Sequence, residues 1–322
     1  MEPRAATNRL FCFGLGYTGI ALGRALLAQG WSVVGTCRSE EHRDAARAAG
    51  MEAVVFERTR PLRQAARIFG AATHVLSTIP PDEFGDPVLD AHVGDLAAAA
   101  RSLTWAGYLS TTGVYGDRGG DWVDESAELK PVNERGHRRV RAESAWFQLR
   151  IGAQLPLHVF RVAGIYGPGR NALEQVRTGA AHRIDKPGQV FSRIHIDDLV
   201  AALCASMARP APGTTYNVCD NDPAAPADVT AFAAQLLGVP APPLVAIERA
   251  NLSELARSFY DENKRVRNDR MTRDLGVTLK YPSYREGLTA LAKALPRPAA
   301  TDPELSASGR SRRDFFRGKG RK

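Results

Sequence analysis

The feature that most constrains this chain lies near its start. Leu10-Phe11-Cys12-Phe13 is a short apolar run that breaks directly into Gly14-Leu15-Gly16-Tyr17-Thr18-Gly19. Residues 10–13 read as a buried strand. Ile20, Leu22, Leu26 and Leu27 then form one helical stripe over 17–29, closed by Gly30 at the C-cap. In such a junction the first glycine permits the tight turn, the second lets backbone approach a pyrophosphate, and the third lets helix pack against strand. The helix start adds free N–H groups and a partial positive charge. Gly14, Leu15, Gly16, Tyr17, Thr18 and Gly19 are therefore the expected dinucleotide cradle.

Beyond that junction, apolar runs at 33–36, 53–56, 74–78, 108–111 and 157–162 alternate with helical patterns near 40–49, 62–69, 88–102 and 134–151. Such alternation predicts an α/β fold, a Rossmann doubly wound parallel sheet occupying 9–165. After Tyr166 the rhythm loosens. Helices are expected near 171–179, 197–208, 227–237, 251–258 and 283–294, with short strands near 189–194 and 215–218. Residues 166–296 read mainly as a smaller C-terminal substrate lobe, with segments returning to the Rossmann domain, and no internal repeat is visible.

Charge is informative once mapped along the chain. Of the formal net charge of +8, five units fall in residues 297–322, which read as a disordered basic tail. The body thus requires no nucleic-acid partner. No run of 18 apolar residues exists, so no membrane span is expected. Arg4 and Arg9 precede an apolar stretch, but its glycines and the following amphipathic helix argue against a secretory signal. Cys12, Cys37, Cys204 and Cys219 include no C-x-x-C pair, which points to a reducing, cytoplasmic setting and no metal site.

The second strand ends in Thr36-Cys37-Arg38-Ser39, and no acid follows until Glu40. An acid there would select the ribose 2′-hydroxyl of NAD, whereas a guanidinium grips a 2′-phosphate in bidentate fashion. Arg38 therefore predicts NADP, with NAD less favoured.

Further motifs follow in order: Ser110-Thr111-Thr112-Gly113-Val114-Tyr115-Gly116, Arg161-Val162-Ala163-Gly164-Ile165-Tyr166-Gly167-Pro168-Gly169, Arg193-Ile194-His195-Ile196-Asp197-Asp198-Leu199 and Tyr216-Asn217-Val218. With Gly14 to Gly19, they make residues 9–294 resemble an atypical, extended short-chain dehydrogenase/reductase of the NAD(P)-dependent epimerase/dehydratase family. The segments from Lys264 to Asn268 and from Tyr281 to Leu288 are similar to an atypical bacterial branch of that family. The resemblance implies that Thr78 lies near the cofactor and that Thr111 is the catalytic hydroxyl, pointing opposite to Ser110 and Thr112.

One departure is central. The family's proton-transfer tyrosine, and the lysine four residues later, align with Arg135 and Arg139. Arginine stays protonated at ordinary pH and cannot act as a general base. Three outcomes are open: the arginines bind an anion while Tyr115 moves the proton, water supplies the proton, or the chain is a catalytically silent NADP-binding sensor or structural protein. Phe191 stands where nucleotide-sugar enzymes of the family commonly carry an arginine, which weakens a nucleotide-sugar assignment. His195, Asp197 and Asp198 resemble a metal cluster, but the Asp197 and Asp198 pair opening a helix reads as its N-terminal cap and dipole partner instead, and His137 reads as a surface residue. The expected function is an NADP-dependent oxidoreductase or epimerase acting on a small polar, anionic molecule, with a second copy of the chain as a candidate partner. Titration of Arg38→Ala should show NADP affinity reduced about tenfold or more with NAD affinity unchanged; equal losses for both coenzymes would remove Arg38 from cofactor selection.

Overall fold

A computed structural model describes residues 8–295; the tail expected at 297–322 lies outside the described residues. The central strands are β1 (Arg9–Phe13), β2 (Ser32–Cys37), β3 (Glu52–Val55), β4 (His74–Ser77), β5 (Trp105–Thr111), then Leu157–Val162 and Thr215–Val218. They form one seven-stranded parallel sheet, in the spatial order Thr215–Val218, Leu157–Val162, β5, β4, β1, β2, β3. Strands of a parallel sheet are covered on both faces and so run continuously apolar. Every residue of β4 and of Leu157–Val162 is buried.

Helices cover both faces. They include α1 (Tyr17–Ala28), α2 (Glu40–Ala48), α3 (Ala65–Gly70), α4 (Pro87–Ala99) and α5 (Glu134–Ala153). Strand alternation sends Leu10 and Cys12 of β1 to one side, where they join Leu22 and Leu26 of α1 and Leu199 and Leu203 of the helix Ile196–Ala208. Phe11 and Phe13 go to the other side, against Phe69 of α3, Leu96 of α4 and Trp146 of α5. Each such buried side chain contributes about 1.5–3 kcal/mol. The chain runs outward from β1 through β2 to β3, then recrosses to β4 and β5. The reversal opens a crevice at the carboxyl ends of β1 and β4, the place where this topology takes its ligands.

A second layer of structure stands beyond that crevice. Gly164–Tyr166 pairs in parallel with Arg193–His195, and the helices Ala172–Arg177, Pro226–Leu237 and Tyr284–Ala294 enclose Tyr166, Leu173, Val229, Tyr284 and Leu288. No helix among the described residues is long and apolar enough to cross a membrane.

Some boundaries differ from expectation. β5 starts at Trp105 rather than 108, because the indole is buried, stacked on His158 at 5.7 Å and donating to Ser206 Oγ at 3.0 Å. The helix expected over 88–102 ends at Ala99 and passes into a 3-10 turn, Ala100–Ser102. The strand expected near 189–194 is confined to Arg193–His195. The pairs Trp122–Val123 with Arg265–Val266, and Arg183–Asp185 with Leu244–Ala246, are too short to leave a periodicity in the sequence.

Two core histidines make stability pH-dependent. His158 Nε2 accepts from the Ala211 amide at 2.8 Å while Nδ1 faces the Ala106 carbonyl at 3.3 Å, an arrangement that suits the neutral ring. Burial pushes both His158 and His74 down to about 4 from 6.5. Because the folded values lie below the unfolded ones, the unfolded chain binds more protons at intermediate pH. Their stabilisation is complete above about pH 6.5 and is lost as pH falls towards 4, each histidine removing up to about 1.4 kcal/mol for every pH unit crossed in that window. Denaturant midpoints should therefore fall between pH 7 and pH 5, and less steeply in His158→Gln; an unchanged slope in that variant would contradict the assignment.

Candidate functional site

The glycine turn is the rigid edge of the site. Gly14 sits at φ +96°, and a Cβ there would lie 2.4 Å from Thr78 Oγ1. Its N–H donates to Thr36 Oγ1 at 2.9 Å and its carbonyl accepts from Thr78 Oγ1 at 2.8 Å, so the strands flanking β1 clamp the turn. A Cβ on Gly19 would lie 2.4 Å from the Gly14 carbonyl oxygen, whereas one on Gly16 meets nothing within 4 Å. The three glycines thus divide the work as their spacing implies: tight turn, open approach and helix packing. No side chain caps α1 at Gly16. An uncapped helix start beside open space suits a coenzyme pyrophosphate.

Gly16, Tyr17, Thr18 and Thr78 line a cavity of 250 Å³ together with Ser110 and Arg139. Leu15 behaves differently from its neighbours. Its side chain is buried against Gly35, and its N–H donates to the Thr36 carbonyl at 2.7 Å, so it shapes the turn from behind. Arg38 is exposed just past the end of β2 and lines neither this cavity nor the next.

A larger cleft of 860 Å³ adjoins the first and shares Ser110, Arg139, Val162, Ile165 and Arg170 with it. Thr111, Arg135 and Arg139 all line this cleft. Thr111 is half-buried, and its Oγ1 accepts from the Gly113 amide at 3.2 Å. Ser110 turns away from Thr111, as strand alternation requires, and its hydroxyl donates to buried Glu143 on α5. The strand ends at Thr111, and the following 3-10 turn, Thr112–Tyr115, breaks the two-residue alternation.

Arg135 and Arg139 share a face of α5, as their spacing requires. Arg139 Nη1 donates to Tyr108 Oη at 3.0 Å and to the Leu109 carbonyl at 2.7 Å, which holds its guanidinium between the two cavities. Arg135 is exposed, with its guanidinium 5.2 Å from the Phe259 ring centre. Arg138, Arg170, Arg193 and Lys264 add further positive charge, and Glu262 is the one carboxylate among the lining residues. The field in the cleft favours an anion.

Tyr115 is not in the cleft, which corrects its assignment as proton donor. It is fully buried, donates to Asn217 Oδ1 at 2.7 Å and accepts from Arg161 Nη1 at 3.0 Å. Burial pushes its phenol up to about 12. Arg161 also pairs with buried Glu143 at 2.9 Å, and Ser110 donates to the same carboxylate. This network braces the end of β5 from beneath. The expected cap of the helix Ile196–Ala208 also changes identity. His195 Nδ1 accepts from the Asp197 amide at 3.1 Å, while Asp198 accepts from the Lys280 and Tyr281 amides. Among the described residues no group of three or more His, Cys, Asp or Glu is placed to hold a metal ion.

Three residues of the cleft carry no signal of their role in the sequence around them. Asn133 caps α5, accepting from the Gly136 amide at 2.9 Å, and its Nδ2 donates to Glu262 Oε1 at 2.8 Å. Lys264 Nζ lies 2.5 Å from Glu262 Oε2. An Asn before a helix is a cap signal and nothing more; Glu262 and Lys264 lie more than a hundred residues away, and their meeting with Asn133 is visible only in the fold.

This architecture, with its crevice and glycine turn, is a fold that solved NAD-dependent epimerase/dehydratases also adopt. Within it, the chain belongs to one family with a functionally unknown conserved protein from Silicibacter pomeroyi DSS, to which it is 51% identical with a TM-score of 0.83, covering 89% of this chain and 99% of that one. It is also similar to protein YeeZ of Escherichia coli K12, 27% identical over 280 residues, covering 84% of this chain and 94% of YeeZ. UDP-glucuronic acid 4-epimerase from Bacillus cereus, solved in complex with NAD, shares the fold at 16% identity with a TM-score of 0.71, over 88% of this chain and 97% of that one. No protein-family model matches the chain.

The glycine geometry makes a paired prediction. Gly16→Ala enters open space and should leave stability within about 1 kcal/mol of wild type while weakening coenzyme binding about tenfold or more. Gly19→Ala collides with backbone and should cost about 1–3 kcal/mol of stability. Thermal melts and calorimetry separate the two, and a Gly16→Ala protein with undiminished coenzyme affinity would contradict the cradle.

Proposed function

We propose that the chain is an NADP-dependent oxidoreductase or epimerase acting on a small polar, anionic molecule. The observation that carries this is the adjacency of two cavities, one bordered by the uncapped glycine turn and the other by Thr111 and a set of guanidinium groups. Bound there, the coenzyme would supply a hydride acceptor or donor. Gly14, Gly16 and Gly19 would seat its pyrophosphate, and Thr18, Thr78 and Arg139 line the adjoining cavity. Exposed Arg38, which makes no ion pair among the described residues, supports the choice of NADP over NAD.

The remaining steps fall to side chains. Thr111 offers a hydroxyl to the oxygen of the reacting carbonyl or alcohol, and Arg135 and Arg139 hold positive charge over developing negative charge. A fixed, partly desolvated guanidinium stabilises an oxyanion more strongly than one in open water. A catalytically silent NADP sensor is the alternative, and the observation favouring it is the arginine at both positions where the family's proton-transfer pair stands.

A screen of NADPH oxidation across anionic aldehydes, ketones and keto-sugars tests the proposal. Wild type should turn over at least one class, and Thr111→Ala and Arg135→Ala should each lower kcat/KM about 100-fold or more. Coenzyme binding with no turnover of any class would favour the sensor.

A further inference from the structure

We infer that Lys264, positioned by Glu262, takes over the proton transfer that the tyrosine and lysine pair performs elsewhere in the family. The inference rests on the oxidoreductase proposal above. It starts from a chemical gap: neither Arg135 nor Arg139 can exchange a proton at ordinary pH, and Tyr115 is sealed beneath the cleft. A lysine amine can both carry and release a proton.

The geometry puts such an amine in the same cleft as the Thr111 hydroxyl. The point where a side chain on Gly113 would begin lies 3.5 Å from Thr111 Oγ1 and 3.9 Å from Glu262 Oε2. Lys264 Nζ sits 2.5 Å from that same carboxylate oxygen. Both residues line the cleft, yet their side chains are only 9% and 11% exposed for Lys264 and Glu262. The carboxylate is itself fixed, because its other oxygen accepts from Asn133 Nδ2, the residue that caps the helix carrying Arg135 and Arg139.

The backbone holding the pair is equally constrained. Gln189 Nε2 donates to the Glu262 carbonyl at 2.7 Å. Asn263 accepts from the Val190 amide at 3.1 Å and receives the Arg118 and Gly120 amides on its carbonyl. A surface lysine needs no such support. Among the described residues Lys264 Nζ donates to Glu262, and an ammonium has three donors, which leaves the amine able to reach a substrate oxygen as well.

In the reductive direction the bound coenzyme would supply a hydride, with its two electrons, to the substrate carbonyl carbon. The carbonyl oxygen takes a proton from Lys264 Nζ. The C=O π bond, the coenzyme's donating C–H bond and one Nζ–H bond would break, new C–H and O–H bonds would form, and the neutral amine would recover its proton from water. Oxidation reverses each transfer. Glu262 is a positioning residue that holds Nζ in place.

The test compares Lys264→Arg, Lys264→Met and Glu262→Gln with wild type, by turnover on the carbonyl panel and by calorimetry with NADPH and with an unreactive anionic alcohol. Lys264→Arg keeps the charge but cannot exchange the proton. It should bind both ligands within threefold of wild type while kcat falls about 100-fold or more, in the range of general acid catalysis. Added small primary amines should restore part of the turnover of Lys264→Met but none to Glu262→Gln. The unreactive alcohol should also slow modification of Lys264 by an amine reagent in the coenzyme-free protein. Lys264→Arg turnover within threefold of wild type would overturn the inference and leave the oxidoreductase proposal standing. Loss of ligand binding in step with kcat, or no protection of Lys264, would make it a structural post and overturn the inference too. A wild type that binds NADPH but turns over nothing would fail the oxidoreductase proposal, and the inference with it.

Discussion

The structure depends first on the way one peptide unit is held. Gly14 gives its N–H to Thr36 on β2 and its carbonyl to Thr78 just past the end of β4, the two strands beside β1. The positive φ that this demands is open to glycine at little cost. Held from both sides, the turn sets where α1 begins, and Gly19 seats that helix against the same carbonyl. The uncapped start of α1 therefore faces the crevice between β1 and β4, and the cavities are arranged around it.

A second constraint is electrostatic. The cleft is bordered by arginines from α5 and from the later half of the chain, with Glu262 as the lone lining carboxylate. Elsewhere the molecule neutralises buried charge locally, as in the pairing of Arg161 with Glu143, where removing either partner would cost about 3–5 kcal/mol. In the cleft Arg138 pairs with Glu134, but Arg135, Arg139, Arg170 and Arg193 are held by carbonyls and aromatic rings. Arg139 leans on Tyr108 and the Leu109 carbonyl, and Arg193 on the Phe191 and Ala224 carbonyls. Their charge is left for a ligand to balance. Behind Arg193, burial pushes Asp220 up to about 8, so this acid does little to cancel the arginine at neutral pH.

Much of this was legible in the sequence because it is local or periodic. The strand, glycine turn and α1 follow one another without interruption, and the buried strands announce themselves as apolar runs. The spacing of Arg135 and Arg139 placed them on one helix face. What escaped was set by contacts between distant segments. Tyr115 stood in a suggestive motif, but its partners Arg161 and Asn217 come from neighbouring strands and draw its hydroxyl inward. The 3-10 turn that follows Thr111 also left no periodic mark. Glu262 and Lys264 reach the site through a loop anchored by Asn263 and Gln189, a relationship with no trace in local spacing.

Whether a nicotinamide coenzyme occupies the turn at Gly14 to Gly19 bears on the whole account more directly than any other measurement. Calorimetric titration of wild-type protein, stripped of carried-over nucleotide and without substrate, should show saturable binding of one NADPH per chain, with NADH weaker. Absence of binding by either coenzyme, from protein that is folded by its melting transition, would contradict it.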